Sequence, residues 1–145
     1  MMKKIALILA GGICFLLFAT LCQAQTKGNL MIHATHFNHN NGKAVVHLFR
    51  VDDDIPTKPF IKSSAIIKNG NTTITINDLP YGDYAVILFH DENSNGELDH
   101  RFGFPNEPMG FSNHWKLSLL SGMPSFQKLK FSFSEDHAEQ EIQIK

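Results

Sequence analysis

The chain has 145 residues, 43% of them apolar and 19% charged, and a formal charge of −1. That length suits one domain; so few charges exclude a coiled coil or a disordered tail, and the near-neutral balance excludes a general nucleic-acid binder, which carries a basic stripe. Twelve Phe against one Trp and two Tyr point to an all-β core.

Residues 1–24 have the order of a secretory signal peptide. Lys3 and Lys4 form a basic start, residues 5–21 are apolar without a charge, and Cys22-Gln23-Ala24 sets small residues three and one positions before a cut after Ala24. The competing reading is an uncleaved anchor, but the run is short of the ~20 residues of a membrane span. Lipid attachment would need a small residue before Cys14 or Cys22, where Ile13 and Leu21 stand. Cleavage leaves a domain at 25–145 with no cysteine, hence no disulfide, and a charge of −3. The expected location is the periplasm or the exterior, with no membrane span after cleavage.

Beyond residue 25 no helical period persists, whereas period-two alternation recurs. Leu30, Ile32 and Ala34 alternate with Met31, His33 and Thr35. A turn cluster at 38–42 ends on Gly42, after which Val46 and Leu48 alternate with His47 and Phe49. Residues 51–63, with three successive Asp and two Pro, read as a loop. A short run at 64–68 leads into Asn69-Gly70, a strong hairpin signal, and Thr72, Ile74 and Ile76 follow in alternation. Leu79-Pro80-Tyr81-Gly82 then precedes Tyr84 at the head of a strand, in the manner of a tyrosine corner; the competing account is an ordinary strand-leading Tyr. Residues 84–90 are apolar on both faces, as a central strand should be. Leu129, Phe131 and Phe133, then Ile142 and Ile144, mark two closing runs. The expected fold is all-β: a single immunoglobulin-like or transthyretin-like antiparallel β-sandwich of about seven strands.

The segment 91–125 is too long for an idle connection. Asp91, Asn93, Asn95 and Asp99 present side-chain oxygens at alternate positions, Gly96 permits the sharp bend, and Glu97 is placed to give its backbone carbonyl. A hard cation such as Ca²⁺ takes six or more oxygens at about 2.3–2.6 Å, and this spacing matches the first half of an EF-hand loop. Phe102 stands where the bidentate Glu belongs, so an EF-hand is excluded, while a looser calcium loop completed by Glu107 remains. The competing account is a set of Asx-turns in which Asp91 accepts backbone N–H groups. The aromatics between Phe102 and Trp115 read as the loop's own small core in preference to a binding face.

Tyr-Ala-Val at 84–86, His-Asp-Glu-Asn-x-Asn-Gly-x-Leu-Asp at 90–99 and Phe-Gly-x-Pro-x-Glu-x-x-Gly-Phe-Ser-Asn at 102–113 together resemble the secreted bacterial domain-of-unknown-function family DUF2141. Gly42 at the head of the second strand and Pro124-Ser125-Phe126 extend the resemblance over nearly the whole chain after the leader. It implies an exported β-sandwich and supplies no catalytic residue. The 91–99 loop alone is also similar to calcium loops of surface-protein β-sandwich modules, a shorter match.

Two other chemistries compete. His90, Asp91, His100, Glu107, Ser112 and His114 lie close in sequence, but Ser112 sits in no nucleophile-elbow pattern. His33, His36 and His39 recur every third residue, a spacing that alternates faces on a strand, and a copper site would also need Met109 or Met123. The expected function is therefore non-catalytic: an exported module that binds or scaffolds a protein, surface or carbohydrate ligand through an ordered loop at 91–114. The one expected cofactor is Ca²⁺, held by Asp91, Asn93, Asn95, Glu97 and Asp99. The alternatives are a periplasmic His/Met transition-metal-binding protein and a small secreted hydrolase.

Overall fold

The computed structural model describes residues 26–145; the expected leader and its cleavage site lie outside the described residues. Its first sheet has the order β10-β1-β4 and is built from β1 (Lys27–Thr35), β4 (Thr72–Pro80) and β10 (Glu139–Gln143). The second has the order β3-β2-β5-β8, built from β2 (Lys43–Phe49), β3 (Ile61–Ile66), β5 (Gly82–Asp91) and β8 (Met109–Phe111), and β9 (Phe131–Phe133) also pairs with β5. A small hairpin joins β6 (His100–Arg101) to β7 (Phe104–Pro105), and one helical turn, α1, spans Phe126–Leu129.

Alternation explains the space between the sheets. β1 turns Leu30, Ile32 and Ala34 inward, β4 turns Ile74, Ile76 and Leu79, and both sets are buried against Ala44, Val46 and Leu48 of β2 and Tyr84, Val86 and Leu88 of β5. Tyr84 closes one end, its hydroxyl donating to the Pro80 carbonyl at 2.8 Å, so the corner reading holds. One pair departs from the antiparallel expectation. β10 runs parallel to β1, from Met31↔Glu139 to Thr35↔Gln143, because the chain leaves β9 in the other sheet through the Ser134–His137 turn and enters beside β1 in the same direction.

The sequence pattern makes β2 half-buried, yet every residue from Ala44 to Phe49 is buried. The cause is a second core on the outer face of the β2–β5 sheet. Val45, Phe49, Ala85, Ile87 and Phe89 on that face meet Met109 and Phe111 of β8 and Phe126 and Leu129 of α1. The long segment after β5 is thus a roof over the sheet. Each of the larger side chains beneath it contributes about 1.5–3 kcal/mol of burial only while the roof is closed. Leu129, which the alternation assigns to a closing strand, belongs instead to α1 and to this second core. The ten strands exceed the expected seven because β6, β7 and β8 lie within the roof. β3 also begins earlier than its pattern, at Ile61.

The two sheets are tied at one side. Met109 N–H donates to the Lys145 carbonyl at 3.1 Å and Lys145 N–H returns a bond to Met109 at 3.0 Å. A Cβ on Gly110 would lie 2.7 Å from both the Gln143 carbonyl oxygen and the Ile142 side chain, so only glycine lets β8 come this close to the end of β10.

Candidate functional site: the loop after β5

β5 ends on Asp91, which is fully buried. Its carboxylate accepts the backbone N–H of Asn95 at 3.0 Å and of Gly96 at 2.8 Å, and that pins the loop into a tight turn. Asn93 accepts the same Asn95 N–H at 2.9 Å through its side-chain oxygen, and Asn95 accepts Glu97 N–H at 2.8 Å. The side-chain amides of Asn93 and Asn95 both donate to Asp99, at 2.6 and 3.0 Å. Gly96 has φ +81, a left-handed conformation in which a side chain is strained. Asp91, Asn93, Asn95 and Asp99 are therefore gathered in one turn, as the spacing suggests. Their hydrogen bonds are those of an Asx-turn set.

Glu97 shares the turn, but its carboxylate leaves it to pair with Lys62 of β3 at 3.0 Å, which holds its pKa below the ordinary value. Phe102 occupies the tip of the β6–β7 hairpin and is 89% exposed. Its chain reversal brings Glu107 back under the turn, where it is buried and accepts Glu92 N–H at 3.1 Å and Asp99 N–H at 3.3 Å. Burial pushes the Glu107 carboxyl up, the two N–H donors oppose this, and the neighbouring charges of Asp91 and Asp99 add to the rise. Three carboxylates thus share one small region.

Glu107 also lines a cleft of about 560 Å³ between the roof and β10, together with Phe111, Trp115, Lys116 and Glu141. Phe111 and Trp115 meet edge to face at 4.8 Å. These aromatics divide the segment in two: Met109 and Phe111 belong to the second core with Trp115 packed against it, whereas Phe102 and Phe104 point outward.

Of the residues of the competing chemistries, Asp91 and Glu107 lie in this turn, whereas Ser112 and the histidine triplet do not. Ser112 is buried, and its hydroxyl accepts Val86 N–H at 2.8 Å and donates to the Leu129 carbonyl at 2.5 Å, so it stitches β5 to α1 and has no imidazole among its partners. His33 bonds Thr73 at 3.0 Å and His36 bonds Thr35 at 2.8 Å, so the triplet with His39 does not converge. His39 instead lies against His90 and Glu92, a meeting across 53 residues of sequence that no spacing signals.

Fold and site together define a β-sandwich whose outer face is roofed by the segment after β5, which opens on a polar, self-bonded turn. The chain belongs to the family described as an uncharacterized protein conserved in bacteria, DUF2141, whose model matches residues 32–142. No curated protein and no solved structure matches it. Among the described residues no helix is long and apolar enough to cross a membrane.

Proposed function

We propose that this protein is an exported, non-catalytic module that binds or scaffolds a protein, surface or carbohydrate ligand through the face formed by residues 91–114, with Ca²⁺ stabilising that loop. The observation that carries the reading is the gathering of Asp91, Asp99 and Glu107 about one turn, where burial first and then the charges of the two Asp push the Glu107 carboxyl up. A divalent cation offsets the repulsion among these charges, and the oxygens of Asn93 and Asn95 stand in the same turn. Glu107 reaches both the turn and the cleft, so order in the loop is passed to the candidate binding face.

Thermal melts in EDTA and in excess calcium test this reading. With no bidentate Glu at the twelfth position the affinity belongs with extracellular modules, about 10⁻⁴–10⁻³ M. Calcium at one hundred times the dissociation constant then adds about 2.7 kcal/mol, a rise of roughly 5 °C for a domain of this size. Magnesium gives less, because it keeps its waters. Glu107→Gln should lose the calcium increment and Glu92→Ala should keep it. Identical wild-type curves would remove calcium from the reading.

A further inference from the structure

We infer that His39, His90 and Glu92 form a binding site for a divalent transition-metal ion of the zinc or copper class. Nitrogen and oxygen atoms of these three side chains all lie within 4.8 Å of one another. His39 Nε2 is 3.1 Å from Glu92 Oε1, and His90 Nδ1 is 3.8 Å from the same oxygen. A tetrahedral ion with bonds of ~2.0–2.1 Å holds its ligand atoms ~3.3 Å apart, between those two separations.

His90 carries the argument. Its side chain is wholly buried, and Nε2 lies 2.6 Å from the Asn41 carbonyl oxygen. A carbonyl only accepts, so Nε2 bears the proton and Nδ1 is left to present its lone pair. Nδ1 is buried without a hydrogen-bond partner, and 3.8 Å is too long for a bond to Glu92. A buried nitrogen without a partner, 3.8 Å from a carboxylate oxygen, is unfavourable as it stands, and a cation between the two would satisfy both. Metal-binding histidines characteristically donate their second N–H to a backbone carbonyl, which fixes tautomer and ring orientation; Asn41 does this for His90.

The backbone holds the arrangement in place. A Cβ on Gly42 would lie 2.1 Å from the Asp91 carbonyl oxygen, so only glycine lets the 38–42 turn press onto the end of β5. That contact sets the His39 ring 4.6 Å from His90, while Phe37 walls His90 edge-on at 5.2 Å. His39 and Glu92 remain about half exposed, which gives an ion a path in and leaves a coordination position open to water or a ligand donor. Two imidazoles and one carboxylate favour a borderline cation over Ca²⁺, which takes oxygens. The site uses different side chains from the calcium reading: Glu92 enters it through its carboxylate, whereas Glu107 meets only the Glu92 backbone N–H.

The test is calorimetric titration of the purified protein with Zn²⁺, paired with the visible spectrum of Co²⁺. One ion per chain is expected, not displaced by excess Ca²⁺. His39→Ala and Glu92→Gln, both at half-exposed positions, should each weaken binding at least tenfold. His33→Ala and Glu97→Gln should leave it unchanged. Absence of stoichiometric binding, or wild-type affinity in either His39→Ala or Glu92→Gln, would overturn the assignment.

Discussion

His47 shows what one polar residue in an apolar place does to the whole domain. It lies on the outer face of β2, 5.2 Å edge-on from Phe89, with Nε2 buried and unpartnered. Burial pushes its pKa down from 6.5 to about 4, Lys62 across the β2–β3 pair pushes the same way, and Glu97 opposes them. The unfolded chain therefore takes up this proton first as the pH falls. Stability linked to His47 is fully present above pH 6.5 and is lost between 6.5 and about 4, by roughly 3 kcal/mol. Urea melts of wild type and His47→Leu across that range should show the steeper decline in wild type; parallel slopes would mean that His47 is solvated. Tyr84 is the opposite case, a polar atom that is satisfied. Tyr84→Phe removes only the bond to Pro80, about 0.5–1.5 kcal/mol, while Tyr84→Ala also opens a cavity in the first core and should cost roughly 3–5 kcal/mol. The corner was legible because a Leu-Pro-x-Gly turn feeding an aromatic-led strand leaves the phenol few other partners.

Turns separate two meanings of glycine. Gly42 and Gly96 both have left-handed backbones, at φ +79 and +81, but only Gly42 has backbone pressed against it. Gly96→Ala should therefore cost only the strain of that conformation, about 1–2 kcal/mol. Gly42→Ala adds a collision with Asp91 and should cost more, of order 3 kcal/mol, with loss of order around His90. Equal melting temperatures for the two variants would show that the 38–42 turn can lift from β5 at little cost. Strands with one solvated face, such as β1 and β4, were readable from alternation alone. β2 was not, because its burial depends on the roof, whose Met109, Phe111 and Phe126 arrive sixty or more residues later. The loop at 91–99 was readable because its hydrogen bonds are local. The meeting of His39 with His90 and Glu92 was not, since it depends on the docking of a distant turn.

The sheets are joined in an order that sequence patterning does not contain. Alternation predicts that β1 and β10 are strands and says nothing of their lying side by side, in parallel, as the first and last strands of the described domain. Until β10 docks, β1 has only β4 beside it, and the tie between Met109 and Lys145 is unmade. A chain stopped before Glu139 should therefore lose both cooperative unfolding and the closed roof, visible as a broadened urea transition. Such a chain would also carry an open edge with Leu30, Ile32 and Ala34 behind it. That edge is a receptor for a strand supplied from outside. A synthetic peptide spanning 138–145 should dock there and sharpen the transition, and a second intact copy could lend the same segment, so that exchange of β10 between molecules is the route by which this domain would pair with itself.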